Sequence, residues 1–406
     1  MRHEDGTRVT GGAPPCAWAV AITGVVCMAQ GVTLGRFVFT PMLPMMLDDG
    51  SVTLVQGGAL ATANYVGYLL GALLCLCIRP EPTRMVRAAL ALAVLLTLAM
   101  ALPGGIAVWG LWRALAGACV AFVMVYTTAW SQQRLTELGR PRLAGLMFCG
   151  PGIGILLTSL PASAMLAAQW PARWGWLAFS ALGAGMVLPV WHVLRPSAQA
   201  AAGGMDPGAH PAPAPSKLDP EAWAMAAIFG LAGFGYIIVA TFLPVIARHA
   251  LPGSLWVDLF WPIFGAGVIL GACLVTRVGL HHDNRRLLTL LYVVQACGIG
   301  IVAAWPTVAG FALGSLCVGT PFLAITSIAM REARRLRGAD ATGLIGLMTV
   351  SYAMGQIAGP WLATALLERT GGFGASLGMA AMALLIGALG CVVLPRAMPA
   401  GDPATR

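Results

Sequence analysis

Two arginines stand where a charge is hardest to keep. Arg36 lies in GRFVFTPMLP, residues 35–44, and Arg113 lies in GLWRALAGACVAF, residues 110–122, with no acidic residue in either stretch. A guanidinium stays charged in a protein and presents a planar fork of donors that matches a carboxylate or a phosphate two bonds at a time. In an apolar segment that charge costs ~2.5–3.5 kcal/mol on insertion scales, so it calls for a partner. The fifteen acidic residues fall between the apolar segments or at their edges, none at mid-depth. The partner is then a bound anion, and the chemistry is recognition rather than bond-making.

Helical spacing supplies each arginine with neighbours. Thr33, Arg36 and Thr40 share one face, and Trp109, Arg113 and Gly117 share another, with Trp109 placed to stack on the guanidinium. Bland readings stand beside these. Arg113 suits bonding to backbone carbonyls near glycines. Arg36 suits snorkelling or bonding to Tyr65, Asn64 or Gln56. Asn64, Tyr65, Tyr126, Gln295, Tyr352 and Gln356 fit either a pathway lining or interhelical glue, worth about 0.6 kcal/mol each. Pro41, Pro44, Pro244 and Pro262 are expected to break helix ends and act as hinges, and Gly150-Pro151 and Gly359-Pro360 to allow close packing between two halves. No nucleophile triad, zinc motif, phosphate-cradling glycine loop or dinucleotide fingerprint is present, so neither an enzyme nor a cofactor or metal is expected.

The elements that hold these residues follow from composition. The 406 residues are 58% hydrophobic and 10% charged, with mean hydropathy +0.81. A soluble domain carries about 25% charged residues. The chain reads as an integral membrane protein, and its apolar runs are continuous rather than alternating, so the spans are helices. Twelve fit, at roughly 17–46, 54–78, 84–102, 105–130, 143–167, 174–194, 222–247, 256–276, 287–305, 307–330, 342–367 and 374–394. The first is too long for a cleaved signal and reads as a retained span. The net charge of +9 sits in loops. With the N-terminus inside, only Arg173, Arg248 and Arg369 fall outside, which sets both termini in the cytoplasm and argues against nucleic acid as the partner. The ten cysteines lie in or beside apolar segments and imply no disulfide framework.

The chain divides in two. Residues 195–221, rich in Pro, Ala and Gly, read as a cytoplasmic linker between bundles at 1–194 and 222–406. Gly35, Leu43 and Pro44 recur 200 positions on as Gly235, Leu243 and Pro244. Gly67, Gly71, Ala72 and Leu74 recur as Gly267, Gly271, Ala272 and Leu274. By the same alignment the counterpart of Arg36 is Tyr236 and that of Arg113 is about Ser315. Positive charge within the spans is thus concentrated in the first half, and the second offers hydroxyls.

The segments RALAG at 113–117 and GPGIG at 150–154 resemble the fourth- and fifth-helix signatures of the major facilitator superfamily. After span 2, Gly71 and the basic residues Arg79, Arg84 and Arg87 follow that family's pattern, while Cys75 stands where an aspartate is expected. LGRFVFTPMLPMM and ANYVGYLLGALL resemble its YbfB/YjiJ-like permease branch. The resemblance implies an all-α membrane protein of twelve transmembrane helices in two parallel six-helix repeats. It also implies a cavity lined by spans 1, 4, 7 and 10, a monomer, and a role for the span 4 arginine in substrate or proton coupling.

The resulting expectation is a secondary carrier, symporter or antiporter, in the cell inner membrane. It moves a small organic anion by alternating access, with proton coupling as an option. Proton-linked efflux of lipophilic or cationic compounds is the rival suggested by GPGIG. A non-transporting membrane sensor on the same fold is the rival of another class.

Overall fold

The computed structural model describes residues 16–78, 80–194, 220–254, 256–278, 282–338 and 341–394. Of the expected linker, 195–219 lies outside the described residues, as do Arg2, Arg8, Arg79, Arg195, Lys217, Arg396 and Arg406. Among the described residues the chain is all α. Twelve helical spans run in order: α1 Ala17–Asp48, α2 Leu54–Cys77, α3 Pro82–Ala99, α4 Ile106–Glu137, α5 Gly150–Ala167 and α6 Ala172–Val187, then α7 Pro220–Ala250, α8 Phe260–Arg277, α9 Asn284–Ala304, α10 Val308–Arg337, α11 Ala341–Thr370 and α12 Gly374–Val393. A 3₁₀ stretch, Pro141–Cys149, leads into α5. All twelve expected segments are helices, and ten are long and apolar enough to cross a bilayer by length and composition alone.

The spans start where their sequences supply caps. Thr53 and Gln56 form a reciprocal capping box at α2. The Glu81 carboxylate accepts from Thr83 and Arg84 at α3, and Asp283 accepts from Arg285 at α9. Each cap satisfies amide donors that would otherwise be orphaned at a helix start.

Close approach between helices is set by small residues, as expected where lipid offers no hydrophobic drive. A Cβ on Gly67 would overlap the Ala114 carbonyl, and one on Gly117 the Asn64 carbonyl, so α2 and α4 touch backbone to backbone. The second half repeats the device: Gly271 lies against Thr320 and Gly319 against Phe264, joining α8 to α10. The repeat read from glycine spacing is therefore a repeat of helix contacts.

Three seams join the first six helices to the last six. Gly152 of α5 packs on Gly265 and Ile269 of α8, and Gly58 of α2 packs on Thr364 of α11. At the third seam, Thr40 Oγ1 of α1 donates to the Ala240 carbonyl of α7 at 2.6 Å. These two residues are 200 positions apart, so Thr40 meets its own repeat counterpart. That happens only beside a two-fold pseudo-axis.

Two sequence expectations need correcting. Gly150 packs on Val25 and Ala29 of α1, and Gly359 on Ile237 of α7. Gly150-Pro151 and Gly359-Pro360 thus tighten contacts inside a half, at different heights, and the close contact between halves belongs to Gly152. Nor do the prolines end helices. Pro44 and Pro244 lie inside α1 and α7, which continue to Asp48 and Ala250. Pro262 sits in the first turn of α8, where a missing N–H costs no bond.

Candidate functional site

The site begins with a defect in α1. Residues Thr33–Phe37 form a π-helical turn, closed by Val38 N–H donating to the Thr33 carbonyl at 2.8 Å. Pro41 explains its place: a proline offers no N–H to the carbonyl four residues back, here Phe37, and its ring presses on that carbonyl. A widened turn just before it relieves the clash, and such turns recur at functional sites. The extra residue also rotates everything beyond it. Thr33 consequently faces Gly154 of α5, while Thr40 faces α7, so the face expected to unite Thr33, Arg36 and Thr40 does not exist.

Two carbonyls of the widened turn are taken up by neighbours. Asn64 Nδ2 of α2 donates to Gly35 O at 2.7 Å and to Arg113 O at 2.8 Å, clasping three helices at once. Arg113 Nη2 donates to Arg36 O at 3.3 Å, and its guanidinium lies 4.7 Å above the Phe39 ring. The expected Trp109 stack is not made. Trp109 is half-buried at the loop, its Nε1 donating to Leu102 O. Trp109 precedes Arg113 by a full turn and follows the loop, so the loop carbonyl wins it. Arg113 is thereby committed to holding α1.

Arg36 is differently placed. It is 5% exposed, and its guanidinium lies over the rings of Tyr65 at 5.0 Å and Tyr68 at 4.5 Å. Its Nε and Nη2 are buried with no hydrogen-bond acceptor among the described residues. The ion pairs among the described residues lie at helix ends and involve neither Arg36 nor Arg113. A buried donor left unsatisfied is expensive, and a native structure that keeps one needs a reason.

Arg36 lines a cavity of about 60 Å³ together with Tyr68, Pro151, Phe229, Tyr236 and Phe322, and Tyr352 completes its wall. The cavity lies between mid-depth and the end of the bundle that carries Arg84, Arg134 and Arg335, here the basic end. Gln356 of α11 does not line it, but its amide donates to the hydroxyl of the lining residue Tyr236. Tyr236 and Tyr352 stack at 5.9 Å, and the counterpart of Arg36 is thus a cavity residue too. Ser315, the counterpart of Arg113, spends its hydroxyl on Phe311 O of its own helix.

At the opposite end the seam is closed beneath an outer mouth of about 850 Å³ lined by Asp48, Ser163, Arg248 and Trp256. Besides Thr40–Ala240, the Tyr65 hydroxyl meets Thr241 Oγ1 at 3.1 Å, and Arg248 of α7 pairs with Asp258 ahead of α8. A small gap there is lined by Pro41, Pro44 and Pro244, so the three prolines converge at the sealed seam.

Several residues were not singled out from sequence. Tyr68 and Phe39 carry the cation faces, and both lie in stretches that were. At the basic end, Arg285 bonds Glu332 and Glu221, and Arg335 bonds Glu332, which is fully buried. Gln295 and Tyr126, which fitted either role, serve as glue: the first donates to Val318 O and the second to Ile78 O.

A family model described as uncharacterised MFS-type transporter YbfB matches residues 28–392, nearly all of the twelve spans, and the chain belongs to that family. Comparison with curated proteins returns no match. The chain is therefore a multi-pass membrane transporter of the MFS type, and its cargo is a small molecule.

Proposed function

We propose that this transporter carries a small organic anion across the inner membrane by alternating access, with Arg36 as the group that binds it. One observation carries the reading: a guanidinium that is 95% buried, lines the mid-depth cavity and keeps two unpartnered nitrogens. A carboxylate entering the cavity supplies the acceptors and the opposite charge together. Midplane sites between repeats are where such carriers hold cargo.

The rest of the machinery follows. The halves 1–194 and 222–406 rock about the seam where Thr40 meets Ala240. With basic loops and both termini in the cytoplasm, the cavity lies on the cytoplasmic side of the closed seam. Arg113 and Asn64 fix the widened turn and with it the direction of Arg36. Efflux of lipophilic cations has one observation in its favour, the aromatic walls, which suit cations. Arg36 on the same cavity opposes a second positive charge, and the anion reading is preferred.

Thermal stabilisation of the purified protein tests this. A ligand that binds only the folded state stabilises it by about 2.7 kcal/mol at a hundred times its Kd. Organic anions are expected to raise the Tm of the wild-type protein and not of Arg36→Met, and to drive counterflow in liposomes. Stabilisation by lipophilic cations alone overturns the anion reading. Binding without counterflow makes the protein a sensor.

A further inference from the structure

The cavity has two unlike walls, and together they define a narrower cargo. The first half contributes the cation, Arg36. The second half contributes rings: Phe229 stacks on Tyr352 at 4.6 Å, Tyr352 on Tyr236 at 5.9 Å, and Tyr236 lies on Phe322 at 4.5 Å. The interplanar angles are 26°, 18° and 31°, so four rings form one continuous ladder down the cavity wall. Six of the fourteen lining residues are aromatic, against 8% of the chain, four of them in this ladder and two, Phe37 and Tyr68, on the first half.

Resting on the anion reading above, we propose that the cargo is a planar aromatic monocarboxylate, its carboxylate on Arg36 and its ring against the Phe229–Tyr352–Tyr236–Phe322 ladder. Three features lead there. The charge is single, because Arg113, whose Nη2 donates to the Arg36 carbonyl while its own Nε is unpartnered, does not line the cavity. The wall favours a ring, because aromatic pairs at these separations gain beyond their buried area through quadrupole complementarity. The size is bounded, because a 60 Å³ cavity at ~10–15 Å³ per water holds about four to six waters, or roughly 120–180 Å³ of displaced liquid. That volume suits one substituted ring.

The arrangement also places recognition on both halves. An anion held by the first half alone would leave the second free to rock away. A ring held by the second half links cargo to both bodies that must move. Aliphatic acids of equal size would satisfy Arg36 and gain less from the ladder.

The test uses the purified full-length protein and four probes: benzoate, cyclohexanecarboxylate, benzamide and phthalate. Binding is read from the ligand dependence of Tm. Benzoate is expected to bind about two- to tenfold more tightly than cyclohexanecarboxylate, the range expected of one aromatic contact pair. Benzamide and phthalate are expected to bind more weakly than benzoate. Tyr352→Leu and Phe229→Leu are expected to lower benzoate binding more than cyclohexanecarboxylate binding, so that the preference between the two acids disappears. Equal affinity of the two acids for the wild-type protein, a preference for phthalate, or no binding of benzoate overturns the inference. In the first two outcomes the anion reading survives. Benzamide binding as well as benzoate overturns the anion reading itself. The comparison on the wild-type protein needs no variant to fold.

Discussion

Replacing Arg36 by methionine separates a binding residue from a structural one, because the two roles predict different energies. A charge at mid-depth costs ~2.5–3.5 kcal/mol on insertion scales. Against that stand two ring faces, at 5.0 and 4.5 Å, each worth about 0.5–2 kcal/mol. No hydrogen bond from Nε or Nη2 adds to the account among the described residues. The terms nearly cancel. Methionine keeps an unbranched chain in the same space and removes both the penalty and the ring attraction. Arg36→Met should therefore change unfolding stability by no more than about 1 kcal/mol in either direction, while anion binding and transport are lost. Glu332→Gln calibrates the scale in the same protein. It removes the fully buried charge shared by Arg285 and Arg335 and should cost up to about 3–5 kcal/mol, the loss being moderated by the pair Arg285 keeps with Glu221. Thermal unfolding of both variants in one detergent, with liposome counterflow alongside, makes the comparison. If Arg36→Met loses as much stability as Glu332→Gln, Arg36 is a structural residue and the argument fails. It fails equally if transport survives the substitution.

Other perturbations probe the seams. Thr40→Val removes the bond to Ala240 O and should shift the balance toward opening of the sealed end by about 0.6 kcal/mol, roughly threefold, up to about 1.7 kcal/mol. Distance distributions between spin labels at the ends of α1 and α7 would show it, and an unchanged distribution would mean the bond is not a latch. Cys149 and Cys273, on opposite halves, hold their sulfurs 3.8 Å apart. Copper-phenanthroline oxidation should join them, since a disulfide needs about 1.8 Å of further approach, and should stop transport until a reductant is added. Cys273→Ser should be insensitive. Gly117→Ala should destabilise by about 1–3 kcal/mol, because its methyl would drive into the Asn64 carbonyl. Gly110→Ala, inside the same helix, meets nothing within 4 Å and serves as the unstrained control, expected to gain up to about 1 kcal/mol in the same unfolding assay.

The sequence by itself determined the architecture. Runs of about twenty apolar residues admit only helices in lipid, so twelve spans could be counted, most ends falling within a few residues and those of α4, α6 and α10 seven residues away, where helices extend past or stop short of the apolar run. It also singled out Arg36, because a charge among apolar neighbours stands out in one dimension. The shared 200-residue offset announced the repeat that the α2–α4 and α8–α10 contacts display.

What only the tertiary structure decided is the division of labour between the two arginines. Both looked alike as isolated charges. Arg113 is committed because α4 passes close enough to α1, across Gly117 and Asn64, for its Nη2 to reach a carbonyl of the widened turn. That turn was not legible, since a π-bulge is one extra residue with no composition of its own, and its effect on Thr33 and Thr40 reversed a face drawn on a regular helix. The ring ladder was half visible: Tyr236 and Tyr352 stood out in the sequence, while Phe229 and Phe322 did not. Phe229, Tyr236, Phe322 and Tyr352 come from three helices, and although Phe229 and Tyr236 sit two turns apart on α7, nothing along one helix shows that they meet rings of α10 and α11. Periodicity records which residues share a helix. Which helices face each other is set by the packing of their small residues, and that is written only in three dimensions.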